Sequence, residues 1–152
     1  SSTIYQYYYD DLFAFKIGKE GKFDWQKRIP KSQISTNDGG PFSSYSSFTD
    51  GENMYFIFND NLKNYDDFGD YSRGSNPCYS FNLSKRKNTA AICTVNMENG
   101  DIERKTLFTR KDLNSIVVPK MFKLDSPNKE LLLYAIMSGK EKFGILNFSH
   151  KK

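Results

Sequence analysis

The sequence predicts an all-β, antiparallel fold, and three observations support this. Apolar and polar residues alternate in short runs, which is the period of a strand and not of a helix. Gly, Asn, Asp, Ser and Pro bound these runs, as in chains of strands joined by tight turns. A strand–turn–strand pattern also occurs twice, at 13–29 and 92–108, and its turn glycines Gly21 and Gly100 lie 79 residues apart (100 − 21). Such a fixed period is typical of repeat architectures.

The predicted strands follow from the apolar runs, and the segments between them supply the turns. In chain order the strands are expected at 3–9, 11–17, 22–29, 42–48, 53–59, 78–83, 89–97, 101–108, 117–123, 130–137 and 142–148. Glu20-Gly21, Asp50-Gly51 and Asn99-Gly100 carry residues that tolerate the positive φ of tight hairpins, and Ser126-Pro127-Asn128 does the same in the second repeat. Because no run has a capped 3.6-residue period, very little helix is expected.

The two repeats predict one domain over 1–152, with units at about 11–59 and 89–148. Each unit has the strand content of one β-propeller blade, and propellers typically need about four to eight blades. The chain is therefore expected to be two blades from the C-terminal part of a longer propeller, with a two-sheet β-sandwich as the alternative. A long insertion at 60–77 follows only the first repeat and is the first place where a contact surface is expected.

Composition excludes several classes of function. The chain has 152 residues, a net charge of +4 and mixed signs along its length, so it lacks the basic stripe of a nucleic-acid binder. No apolar run approaches the ~20 residues of a membrane span. The single histidine, His150, is near the end of the sequence and is a poor member of a catalytic site, and two Cys with one His do not make a zinc site. The sequence therefore predicts no enzyme and no cofactor.

One loop offers a candidate cation site. Asp60, Asp66, Asp67 and Asp70 lie within 60–70, and oxygen-rich loops can bind Ca²⁺. The alternating acidic spacing of an EF-hand loop is absent, so an exposed acidic loop is the competing interpretation.

The two cysteines are a candidate disulfide. Cys78 and Cys93 bracket a turn at 84–87, and a hairpin of 78–83 with 88–93 would place them opposite each other. The alternative is a pair of reduced, half-buried cysteines.

Aromatic residues form the remaining candidate surface. Large rings at exposed edges suit protein interfaces or stacking on sugar rings. The predicted interaction residues are Tyr5, Tyr7, Tyr9, Tyr65, Phe68 and Tyr71. The lone Trp25 is either a core or interface residue or a platform for ligand stacking.

Five segments resemble a family of secreted, propeller-like envelope proteins of Bacteroidota. They are IPKSQISTNDGGPFSSY with NMYFIFNDN (29–45 and 53–61), VNMENGDIERKTLF with PKMFKLDSPNKELLLYAI, and the closing KFGILNF. The resemblance covers most of 11–148 and is to the C-terminal end of these proteins. It implies an exported β-repeat protein at the periplasm or outer-membrane surface of a Gram-negative bacterium, and it carries over no functional residue.

The function predicted from all of this is a non-enzymatic interaction or assembly module whose partner is another envelope protein. The alternative is a carbohydrate-binding module or glycan-active propeller. An open groove with Trp25, or with Tyr65 and Tyr71, beside acidic groups would favour that alternative.

Overall fold

The computed structural model describes residues 1–83 and 87–149 and is almost entirely β-structure. Within these ranges 51% of the chain is strand and 7% is helix, so the all-β prediction is confirmed. The strands are β1 (Gln6–Tyr8), β2 (Leu12–Ile17), β3 (Phe23–Ile29), β4 (Ile34–Thr36), β5 (Ser46–Thr49), β6 (Asn53–Asn61), β7 (Asn88–Asn96), β8 (Ile102–Thr109), β9 (Ile116–Val117), β10 (Lys123–Asp125), β11 (Glu130–Met137) and β12 (Lys140–Asn147). One short α-helix, α1 (Arg110–Leu113), and 3₁₀ turns at Leu62–Asn64 and Pro119–Met121 complete the elements.

The strands pair into four antiparallel sheets. A central meander runs β5-β6-β7-β8, and β2 and β3 form a hairpin of their own. In the C-terminal sheet, β11 pairs with β12 along its whole length and with β10 and β9 on its other side. The short strands β1 and β4 make the fourth sheet.

Three of these sheets are stacked as layers because the central sheet is apolar on both faces. One face carries Phe58 and Cys93, which pack against Ala14 and Ile29 of the β2–β3 hairpin. The other face includes Ile57, which packs against the C-terminal sheet in a cluster with Leu131 and half-buried leucines. Phe58 and Ile57 are fully buried, as expected for neighbouring residues that point to opposite faces of a sheet covered on both sides.

Two turn glycines are required by their backbone geometry. Gly21 and Gly100 have φ of 76° and 75°, in the left-handed region that favours glycine. At Gly100 there is a second reason, because a Cβ would lie 2.7 Å from the ring of Trp25. The predicted hairpins at these two positions are confirmed.

Most predicted strands are confirmed, and the errors are local. The segment 78–83 forms no strand, and only an isolated parallel bridge joins Phe81 to Gln33. The run at 117–123 is broken by the turn at Pro119, because proline cannot donate to a ladder. The insertion predicted at 60–77 begins too early, since β6 continues to Asn61. No strand was predicted between 29 and 42, but this segment contains β4, in which Ser35 is buried.

The repeat units do not fold as separate sheets. Strands β5 and β6 of the first unit share the central sheet with β7 and β8 of the second. The sheet boundary is therefore offset from the sequence repeat by one hairpin. The two-sheet sandwich was wrong, because the described part of the chain contains four sheets, three of them stacked.

Candidate functional site

The best-defined polar site is a buried ion pair within the central sheet, between the end of β6 and the middle of β8. The guanidinium of Arg104 donates to the carboxylate of Asp60, and their side chains are 3% and 0% exposed. Asp60 also accepts from the hydroxyl of Tyr65 (2.6 Å) and from the side-chain amide of Asn64 (2.9 Å). Arg104 donates in addition to the Tyr65 hydroxyl (2.9 Å) and to the carbonyl of Pro30. Both oxygens of the Asp60 carboxylate and all three nitrogens of the Arg104 guanidinium thus have a hydrogen-bond partner within the chain.

Aromatic rings enclose the guanidinium. The Cζ atom of Arg104 lies 4.2 Å from the ring centre of Tyr71 and 5.0 Å from that of Phe58. Burial acts to lower the pKa of Arg104, but the carboxylate of Asp60 raises it on balance. Burial raises the pKa of the Tyr65 phenol, and the Asp60 charge adds to this. The arrangement therefore holds a fixed charge pair and a neutral phenol, which is a structural role.

A second buried cation lies nearby without a carboxylate partner. Lys31 is 3% exposed, and its ammonium donates to the carbonyl of Tyr9 (2.5 Å) and to the side-chain oxygen of Gln33 (3.0 Å). None of the ion pairs in the part of the chain that the structure describes includes Lys31. Burial lowers the pKa of Lys31 to about 8, although Asp10 and Asp60 act to raise it.

The predicted aromatic surface divides into residues that are exposed and residues that are not. Tyr65 is 7% exposed and belongs to the core, so its place in an interaction surface was wrong. Tyr71 is half-buried over Arg104 and lines a cavity of about 410 Å³ together with Asp70 and Glu103, whereas Tyr65 borders a separate cavity of about 480 Å³. Phe68 is 92% exposed at the tip of the insertion.

The N-terminal tyrosines are only partly available. Tyr5 is exposed, whereas Tyr7 and Tyr9 are half-buried. The ring of Tyr9 packs on Gly40 and lies 4.9 Å from the ammonium of Lys120. These contacts make Tyr9 part of the fold more than of a free surface.

The hairpin that motivated the disulfide does not form. Cys93 lies in β7, whose neighbours are β6 and β8, and it pairs with Phe56 and Arg104 across them. Both cysteines are free thiols, and the Cys78 sulfur lies 3.2 Å from the Tyr71 hydroxyl. Burial raises the pKa of Cys93 to about 12, so this thiol is inert as a nucleophile. Residues 84–86 of the predicted turn lie outside the described residues.

Three of the four acidic residues of 60–70, namely Asp60, Asp66 and Asp70, have contacts within the chain. Asp60 is in the buried pair, and one oxygen of Asp66 accepts from the backbone N–H of Phe68 and of Asp70, each at 2.9 Å. Over 1–83 and 87–149, no group of three or more His, Cys, Asp or Glu side chains is placed to hold a metal ion. The loop therefore offers Ca²⁺ no carboxylate cluster. His150 lies outside the described residues.

Trp25 lines an open groove at the turn end of the stack. Its indole N–H donates to the carbonyl of Met97 (3.3 Å), which fixes the ring against the turn of Gly100. The groove has a volume of about 580 Å³ and lies between β2, the β5–β6 turn and the β7–β8 turn. Glu52 and Glu98 are on its walls. The groove thus combines an aromatic ring with two acidic groups and one basic group, Lys16.

The two outer layers of the stack expose apolar faces. We call Phe13, Phe15, Ile17 and Phe23 on the β2–β3 hairpin the first outer face; they are 54% to 70% exposed. We call Leu132, Phe143 and Ile145 on the C-terminal sheet the second outer face; they are 39% to 67% exposed. Contiguous apolar surfaces of this kind mark interaction sites. None of these residues was among the interaction residues predicted from the sequence, because strand alternation does not tell which side of each strand is left uncovered.

Comparisons of the chain with models of protein families, with curated proteins and with solved structures give no match. Among the helices in the described ranges, none is long and apolar enough to cross a membrane.

The buried pair makes the first testable prediction. Arg104→Met leaves the Asp60 carboxylate buried without its charge partner, so we expect the free energy of unfolding to fall by about 3–5 kcal/mol. Urea denaturation measures this change. Lys105→Met, at the next position of β8 with an exposed side chain, is the matched control and should have a much smaller effect. Equal losses for the two variants contradict a dominant role for the pair.

Lys31 makes the second prediction. Between its pKa of about 8 in the folded protein and its usual 10.5, only the unfolded chain keeps the proton, so stability attributable to Lys31 rises with pH across this window. Lys31→Met should remove this rise. The raised pKa of Cys93 acts in the opposite direction, so the test is the difference in pH slope between the parent protein and the variant. Identical slopes contradict a lowered pKa of Lys31 in the folded protein.

Proposed function

We propose that this chain is a non-enzymatic interaction and assembly module of a propeller-like array of β-sheets, which docks other β-sheets on its two outer faces. The observation that carries the proposal is the contrast between its layers. The central sheet is covered by a sheet on each side. The first and second outer faces also carry large apolar side chains, but these are uncovered. The main contacts between layers in the described residues are sheet on sheet, so a further sheet is the partner with the matching shape.

The second outer face is suited to such a partner. Leu132 pairs with Ile145, and Tyr134 pairs with Phe143, so the exposed rings and aliphatic chains lie side by side across β11 and β12. Their inward-facing neighbours Leu131 and Leu133 pack on the central sheet. Covering the outward residues would bury apolar area at roughly 25 cal/mol per Å².

The setting proposed for this module is the envelope of a Gram-negative bacterium, as a secreted or outer-membrane-surface protein. The support is the resemblance of 29–61 and 95–148 to propeller-like envelope proteins of Bacteroidota. The proposed partner is another envelope protein in a larger complex.

Site-specific cross-linking tests the proposal. A photo-reactive phenylalanine analogue at position 143 is expected to cross-link a partner protein in the native envelope fraction, because this ring lies in the second outer face. The double variant Phe143→Lys and Ile145→Lys should abolish partner binding without unfolding the chain, since both side chains are about two-thirds exposed. The same analogue at position 68 reports on the insertion. A cross-link from position 68 alone contradicts docking on the outer faces and assigns the interaction to the insertion.

A second candidate function is glycan binding, and the groove at Trp25 favours it. The indole lies beside Glu52 and Glu98, the combination of stacking surface and acceptors that carbohydrate sites use. Because Trp25 is the one tryptophan of the chain, its fluorescence reports on this groove directly. If the groove binds glycans, titration with soluble polysaccharides of the envelope should shift the emission saturably, and Glu98→Ala should weaken the effect. An unchanged spectrum contradicts this function.

A further inference from the structure

The β2–β3 hairpin covers the central sheet less completely than the C-terminal sheet does. On one face of the central sheet lies a layer of four strands, and on the other lies a layer of two. The insertion adds Tyr65 and Tyr71 to this second face. Beside β2 there remains the groove of about 580 Å³, which Met54 of β6 also lines. A strand added along β2 would widen this two-stranded layer and would occupy the groove.

The edge of β2 is also less protected than the other long edges. Natural sheets guard their edges with charged residues, proline, bulges or covering segments. Strands β3, β8 and β12 each carry three charged residues, and the insertion bridges β8 at Lys105. In β2 (LFAFKI) the charge is Lys16 alone, next to the bulge at its end. Among the long strands with an open edge in the described ranges, β2 is therefore the one best suited to accept another strand.

We propose that β2 accepts an extended segment of a partner protein as an added strand, with alternate side chains of that segment turned into the groove. This inference rests on the proposed interaction function and names the mode of recognition, in which main-chain hydrogen bonds supply affinity and alternate side chains supply specificity. In this arrangement an apolar side chain of the added segment that points into the groove contacts Met54. A basic residue of the segment faces Glu52 and Glu98 on the groove walls.

The position of Trp25 favours a strand over a sugar as the occupant. Its indole N–H already donates to the Met97 carbonyl, and part of its ring rests on Gly100. The ring is therefore a fixed wall with its polar group used. What stays open along β2 is main chain, since β2 pairs only with β3 in the described part of the fold. Backbone donors and acceptors at an edge are recognised by another backbone.

Hydrogen exchange in the presence of a model strand tests the proposal. The probe is a synthetic, end-capped peptide of about nine residues with alternating valine and threonine and one central lysine, long enough for a typical strand. We expect amide exchange in residues 12–17 to slow by about tenfold at saturating peptide, with no change in β12. The control peptide has proline in place of one inner valine, which removes a ladder donor and should remove the protection.

Variants of the protein locate the site. Met54→Lys places a charge in the groove and should weaken peptide binding by about tenfold or more. Glu52→Lys should reverse the charge preference, so that a peptide with a central glutamate binds better than the lysine peptide. This variant keeps the test valid if Met54→Lys does not fold. Ile145→Lys on the second outer face is the matched control and should bind the peptide normally.

Several outcomes overturn the inference. These are an absence of binding at about 1 mM peptide, equal protection by the proline peptide, or protection elsewhere than β2. Slow amide exchange of β2 in a dimer without peptide assigns the edge of β2 to a second copy of the chain. A polysaccharide that binds the groove but leaves the amides of β2 unprotected assigns the groove to a glycan. The proposed function can fail independently of this inference. If the peptide protects β2 but position 143 gives no cross-link, docking on the outer faces is rejected and strand addition at β2 is still supported.

Discussion

The buried pair of Asp60 and Arg104 is the interaction on which the rest of the structure depends. It joins the end of β6, the middle of β8 and the carbonyl of Pro30 that follows β3, so it fixes two layers against each other. Charges this deeply buried are costly unless every hydrogen-bonding atom has a partner. The phenol of Tyr65 and the amide of Asn64 supply those partners. For this reason Asn64 and Tyr65 at the start of the insertion are part of the core, whereas most of 66–77 is exposed.

The buried polar residues also explain why the stack has two different ends. At one end Gln33 donates to the carbonyl of Asn59, and Asn59 donates across the layers to the carbonyl of Val117. These bonds join segments that share no sheet. At the other end the hairpin turns diverge around Trp25 and leave the groove. At the closed end these hydrogen bonds join the layers, and the open end, with the edge of β2, is where we propose that another chain binds.

How far the sequence could be read depended on the range of the interactions involved. The hairpins at Gly21 and Gly100 were predictable, because alternation and a positive φ are local properties. The proposed disulfide was not sound, because it assumed that neighbouring segments pair, whereas Cys93 lies between β6 and β8. The burial of Tyr65 could not be predicted either. A tyrosine in a polar segment is expected to be exposed, and its partner Arg104 is more than thirty positions away in the sequence.

From local patterns alone we could predict the all-β class, most of the strands and the two hairpin repeats. Each of these follows from local periodicity, turn chemistry or composition. The tertiary structure alone decided which strands share a sheet, which face of each layer is covered, and that Asp60 is a core residue and not a loop carboxylate. The physical reason is that burial and strand pairing depend on contacts between segments that are distant in the sequence. A strand with apolar residues on both faces takes its orientation only from the layer against which it packs.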